Sequence, residues 1–244
     1  MSLSLGLWVF IVVFFAWFWS WTSYITFRQI NAWKVFAKKR SLRFHSNGIL
    51  ETPSISGAID GYKISIFASE HSELDARSQR RLTAIEVNMH SGLPVMTAMA
   101  SGGMVTVIEP LDLHQEYKPS HNKWDDSYII RTRDNKVAQH YLDDARTDAL
   151  VELMQEEKAW VVLLFLSDTG LLRFDTPLAL DKPKDLDAVV KKVIAVVKSL
   201  ELRKGEGESL LRKRTDSVGS NSILAIDEGL LVDNVGFELE DDSE

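Results

Sequence analysis

The sequence predicts an α+β domain carried behind an N-terminal transmembrane helix. Three observations predict it. The chain opens on a long uncharged apolar run, continues through short alternating segments punctuated by turn residues, and then shifts to two stretches with helical period. Strands joined mostly by short turns imply a mainly antiparallel sheet, with two amphipathic helices packed on one face. A disordered acidic tail is expected to follow. The boundaries read as 1–27 for the anchor, 28–43 for a basic juxtamembrane segment, 44–203 for the α+β domain and 204–244 for the tail.

The anchor comes first. Between Leu3 and Phe27 there is no Asp, Glu, Lys, Arg or His, and crossing a hydrocarbon core takes roughly 20 helical residues. Trp8 stands near one end of the run. Trp17, Trp19, Trp21 and Tyr24 gather toward the other, where amphipathic rings favour the membrane interface. A secretory signal peptide would carry a basic stretch before its apolar segment, and here none precedes it. The following segment, 28–43, holds six cations (Arg28, Lys34, Lys38, Lys39, Arg40 and Arg43) and no acid. By the positive-inside rule this asymmetry places the bulk of the chain in the cytoplasm. Those cations are expected to meet anionic headgroups, and Trp33 and Phe36 among them suggest an interfacial helix continuing from the span. The membrane-interface residues read from the sequence are therefore Trp8, Trp19, Trp21, Arg28, Lys34, Lys38, Lys39 and Arg40.

The domain begins with strands. Gly48–Glu51 and Ser54–Ala58 read as short strands, and Asp60-Gly61 is a hairpin turn signal ahead of the alternating Tyr62–Phe67. Ser69–Arg81 is charged and reads as a loop. Strand character returns over Leu82–Met89, Pro94–Ala100 is apolar, and Gly102-Gly103 turns into the β-branched run from Met104 to Pro110. Leu111–Asp126 shows no clear period, and Ser127–Thr132 is strand-like. Val137, Tyr141, Ala145, Ala149 and Leu153 then fall at steps of four, which predicts one amphipathic helix. Ala159–Leu166 is short and continuously apolar, as a central strand buried on both faces would be. After Asp168-Thr169-Gly170 comes another strand. Pro183 opens a second amphipathic helix bearing Leu186, Val190, Val193, Ile194, Val197 and Leu200 on one face.

Residues 204–244 contain 4 basic and 11 acidic residues, a balance equal to the net charge of −7 for the whole chain. Low hydrophobicity over 204–222 predicts disorder. The apolar clusters Ile223–Ile226, Leu230–Val232 and Val235–Phe237, set among acids, suit a segment that folds on a partner.

Function is less legible. The absence of cysteine excludes a disulfide scaffold, a thiolate metal site and a cysteine nucleophile. Mild acidity disfavours nucleic acid as a partner. No phosphate-cradling glycine motif and no nucleophile elbow occurs, so no cofactor is expected. Asp168-Thr169-Gly170 at the end of an apolar strand resembles the catalytic loop of aspartic proteases, which use two such aspartates sharing one proton. The chain has a single copy, Asp175-Thr176-Pro177 is a poor substitute, and a plain hairpin turn accounts for the residues equally. His114, Glu116, His121, Asp125 and Asp126 are close in sequence but match no metal-ligand spacing, so no metal is expected. Arg212-Lys213-Arg214 beside Thr215 and Ser217 fits a phosphorylation site or a membrane-surface contact.

Trp124-Asp125-Asp126-Ser127-Tyr128-Ile129-Ile130-Arg131, followed by the helix containing Ala145-Arg146, resembles a pattern of uncharacterised bacterial membrane-anchored proteins. The resemblance implies a tethered domain and no catalytic residues. Together these observations predict a non-enzymatic, single-pass bacterial inner-membrane protein whose cytoplasmic domain and tail bind other proteins. The alternative is a membrane-tethered hydrolase of aspartyl type using Asp168.

Overall fold

In a computed structural model of the protein, the described residues are 2–46, 53–72, 79–166, 169–178 and 180–219. The expected strand at Gly48–Glu51, the residue Asp168 and the segment 220–244 lie outside them.

Helix α1 runs unbroken from Ser2 to Arg40. Among the described residues nine strands follow: β1 (Arg43–His45), β2 (Ser54–Ile59), β3 (Tyr62–Ser72), β4 (Gln79–Asn88), β5 (Thr97–Ala100), β6 (Gln115–Glu116), β7 (Ile129–Thr132), β8 (Trp160–Leu166) and β9 (Thr169–Thr176). They form one sheet in the order β1-β2-β3-β4-β9-β8-β5-β7-β6, and every pairing is antiparallel. Between and after them lie α2 (Val105–Ile108), α3 (Asn135–Tyr141), α4 (Asp144–Met154), α5 (Pro183–Leu200) and α6 (Glu206–Gly219). The α+β class with an antiparallel sheet and an N-terminal apolar helix is as the sequence predicts.

One face of the sheet carries the main core. Ile64, Ile66, Ile85, Val87, Leu163, Phe165, Leu172 and Phe174 pack there against α3, α4 and α5. The alternation that sends these side chains inward sends Val162 and Leu164 of β8 to the opposite face. There they meet Ala98 and Ala100 of β5 under Met104, Ile108 and Leu113. β8 is thus covered on both sides, which is why its apolar run has no polar alternation. The β-branched run that follows Gly102-Gly103 supplies this second cover as a short helical segment rather than a strand.

Four further sequence expectations need correction. The charged segment Ser69–Arg81 is mostly strand: β3 continues to Ser72, β4 starts at Gln79, and only the loop between them lies outside the described residues. The helix expected over Val137–Met154 is two helices. Leu142 leaves the helical region (φ −83°, ψ 75°), and the Asp143 carboxylate caps α4 by accepting from the Arg146 amide. The residues Trp33 and Phe36, expected at a membrane interface, are fully buried in the main core. The last third of α1 is therefore a core helix laid against α5, β1 and β2. Finally, the folded domain does not stop at Arg203. Residues 206–219 form α6, and Leu210 is buried in the main core.

Candidate functional site

Among the described residues, the first two thirds of α1 carry most of the exposed large apolar side chains. Trp8, Phe10, Phe14, Phe15, Trp17, Trp19, Trp21 and Phe27 all stand exposed on it. The pairs Phe10–Phe14 and Trp17–Trp21, each one turn apart, stack with ring centroids 6.4 and 6.1 Å apart. The helix is long and apolar enough to cross a bilayer, and none of its most apolar stretch is buried in the protein.

The basic flank is placed unevenly. Arg28 lies over the Tyr24 ring and pairs with Asp181 at 2.9 Å, just ahead of α5. Arg40, at the other end of the flank, donates from Nε to Asp187 Oδ1 at 2.9 Å. Burial alone would raise the Asp187 carboxyl, but hydrogen bonds from Arg40 and Lys191 outweigh it and hold the group below the usual carboxylate range. Lys34, Lys38 and Lys39 point to solvent. Arg28 and Arg40 are thus tied to the domain, and the three lysines remain exposed.

The histidine and acid set at 114–126 is dispersed by the fold. His114 pairs with Asp112 at 2.9 Å, His121 with Asp148 at 3.3 Å, and Lys118 with Asp126. Asp125 accepts from the Ser127 amide at 2.8 Å and hydroxyl at 2.7 Å, a local turn that lowers its pKa through the hydroxyl bond first. Among the described residues no three such side chains are placed to hold a metal ion. Trp124 and Tyr128 of the resemblance motif meet edge to face at 5.5 Å, an aromatic pair that orients the approach to β7.

Of the Asp-Thr-Gly turn, Thr169 and Gly170 are described. They begin β9 opposite Leu166 and Phe165. A Cβ on Gly170 would lie 2.9 Å from both Met89 Sδ and Phe165 Cε1, so close packing demands glycine here. The second Asp-Thr pair is engaged differently. Asp175, fully buried, accepts from Arg173 Nε at 2.9 Å and Nη2 at 3.0 Å, and from Ser69 Oγ at 3.1 Å. Arg173 also reaches Glu86 at 3.2 Å. Burial pushes the Glu86 carboxyl up, Arg173 pulls it down and Asp175 pushes it up again. Three adjacent strands supply these four groups, so only the register brings them together.

A second charged cluster was not legible in the sequence. Arg146 of α4, essentially buried, donates to Glu206 Oε1 and Oε2, to Tyr141 O at 2.8 Å and to Glu201 O at 2.9 Å. Its guanidinium lies over the Tyr141 ring at 4.4 Å, and the Tyr141 hydroxyl donates to Leu200 O at 2.6 Å. Burial pushes the Tyr141 phenol far up, so it stays neutral. The Arg146 hydrogen bonds hold Glu206 below the usual range, against some desolvation. These contacts fasten α6 to the domain.

An apolar cavity of about 310 Å³ opens between α4, α5 and the end of β9, lined in part by Leu153, Phe174, Leu178, Val189 and Val193. The ion pair of Lys192 with Glu156 is among its walls.

No family model matches the chain, and no curated protein matches it. Among solved structures, the crystal structure of the mycobacterial trehalose monomycolate transport factor A, TtfA, is similar with a TM-score of 0.40 and 13% sequence identity. The match covers 72% of this chain and 94% of that one. At that score and identity the likeness carries no argument about function.

Proposed function

We propose that the protein is a single-pass bacterial inner-membrane protein whose cytoplasmic α+β domain and acidic C-terminal segment bind other proteins without catalysis. One observation carries the reading: α1 leaves the domain core as a bare apolar helix, so the domain is built around the end of its own anchor. The cation asymmetry about the span supports the cytoplasmic side. The engagement of Asp175, Arg173, Arg146 and Glu206 with one another supports a structural use of the buried charges. The apolar clusters set among acids beyond residue 222 support a protein partner.

The full chain should remain with membranes through alkaline extraction, and a chain starting at Arg28 should not. A reporter active only in the periplasm, fused after Gly219, should be silent, and an active one would reverse the orientation. Asp168→Asn should fully complement whatever phenotype a deletion strain shows. A loss of complementation with normal protein levels would restore the aspartyl hydrolase in its place. Crosslinked partners recovered from membranes should depend on residues 220–244 or on the domain surface, and no recovery from either would remove the binding role.

A further inference from the structure

We propose that the approach to α5 and its first turn, with Leu178, Lys182 and Lys184, form a second membrane contact that grips anionic lipid headgroups beside the anchor. The inference rests on the anchor reading and extends it to a part of the chain 150 residues away in sequence. Arg28 is the first charged residue after the apolar run, so a spanning α1 places it at headgroup depth. Its ion pair with Asp181 brings the α5 approach to that same depth. α1 has no break between Arg28 and the buried Trp33 and Phe36, so the domain cannot swing this loop away from the bilayer without unfolding helix.

The chemistry of the loop fits that position. Leu178 is 55% exposed, a large apolar side chain open to solvent at the rim of the cavity that Phe174 and Val189 also line. Lys182 and Lys184 are exposed and carry no ion pair among the described residues, whereas Arg28 neutralises Asp181. Asp185, in the first turn of α5, opposes them in part. By contrast Lys38, Lys39 and Arg40 lie three turns further along α1, about 15–18 Å beyond Arg28 at 1.5 Å per residue. That exceeds the screening length of about 8 Å at physiological salt, so for an upright helix they are out of headgroup range. The lipid contact expected of the basic flank therefore falls to Arg28, to the exposed Lys34 about 9 Å beyond it, and to this loop.

The cysteine-free chain permits a direct test. Single cysteines at Val13, Leu178, Lys184 and Ser199 would be labelled with an environment-sensitive fluorophore in the full-length protein. The protein would be reconstituted into vesicles of phosphatidylcholine with or without phosphatidylglycerol, carrying a quencher on the headgroup or deep in the chains. Leu178→Cys and Lys184→Cys should be quenched several-fold more by the headgroup quencher than Ser199→Cys, which sits about 22 Å further along α5. Adding Lys182→Glu to the Leu178→Cys protein should reduce that quenching in phosphatidylglycerol vesicles only. Quenching at Val13 by the deep quencher without quenching at 178 would overturn the contact and leave the anchor standing. No quenching at Val13 would overturn the anchor itself. Equal quenching at 178 with and without phosphatidylglycerol would overturn the recognition of anionic headgroups.

Discussion

Arg146 and Glu206, sixty residues apart, face each other through two hydrogen bonds of 2.6 Å, with Arg146 only 1% exposed. The pair closes the main domain over the start of α6 and redraws its C-terminal boundary.

Removing one partner of that pair should be costly. Glu206→Ala leaves a guanidinium in the interior with only the Tyr141 and Glu201 carbonyls to answer it. The expected loss is about 3 kcal/mol of unfolding free energy, the low end for a broken buried pair. Chemical denaturation measures it. Trypsin should also cut faster at the exposed Arg212 to Arg214, because α6 has lost its first tether. A cost below ~1 kcal/mol would mean the pair is dispensable.

The same pair sets a pH dependence. The Glu206 carboxyl has a folded-state pKa below its ordinary value of 4.5. Its stabilisation is therefore fully present above pH 4.5 and is lost as the pH falls through the depressed folded value. Relative to the intrinsic amide rate at each pH, hydrogen exchange in α6 should stay slow at neutral pH and accelerate below that point. In Glu206→Gln the acceleration should be absent, because nothing remains there to protonate.

Trp33 distinguishes a core helix from an interfacial one. Trp33→Ala should cost about 3–5 kcal/mol, as truncation of a fully buried aromatic does. Lys34→Ala, on the exposed side of the same turn, should fall within about 0.5 kcal/mol of the parent. Similar small effects at both positions would return this stretch of α1 to the membrane surface.

The turn after β5 depends on missing side chains. A Cβ on Gly103 would lie 2.6 Å from Trp160 Cζ3, and Gly102 adopts φ +58° against the same indole. Gly103→Ala should cost about 1–3 kcal/mol through displacement of that ring. Loss of the native Trp160 fluorescence would accompany it, best read in a chain whose other tryptophans are replaced.

Asp175 can be tested against its neighbours. Asp175→Ala strands Arg173 between Glu86 and Ser69 and should cost about 3–5 kcal/mol. Thermal unfolding of the parent and the variant, compared at one pH near neutrality, reads the difference.

What could be read from the chain was whatever local pattern determines. Asp60-Gly61 joins β2 to β3 because its backbone preferences do so unaided, with Asp60 at φ 53° and Gly61 at φ 89°. The continuous apolar run of β8 and the one-sided pattern of α5 were legible for the same reason. The misses share a different cause. Ser69–Arg81 looked like a loop because it is charged and lacks apolar alternation, whereas its strand pairing is set by the register of β3 against β4. Asp143 breaks a helical period that runs on through it, since a cap depends on one side-chain bond and leaves the period intact. Trp33 looked interfacial because an aromatic among lysines fits a membrane surface as well as a core. Glu206 sits in a polar, glycine-bounded stretch, and its partner is supplied by a helix sixty residues earlier. The clusters around Arg173 and Arg146 are likewise assembled by register and packing, which no spacing along the chain announces.

The unbroken course of α1 makes the length of the apolar run an angular setting for the domain. Each residue of an α-helix turns about 100° and rises 1.5 Å. One residue added within 10–20 would rotate the whole domain by roughly that angle relative to the aromatic face of the span, with hardly any change in depth. Seven added residues would bring it back to within about 20° while lifting it by about 10 Å. A partner that grips span and domain together therefore reads azimuth, and such insertions should abolish and then restore its binding with helical periodicity.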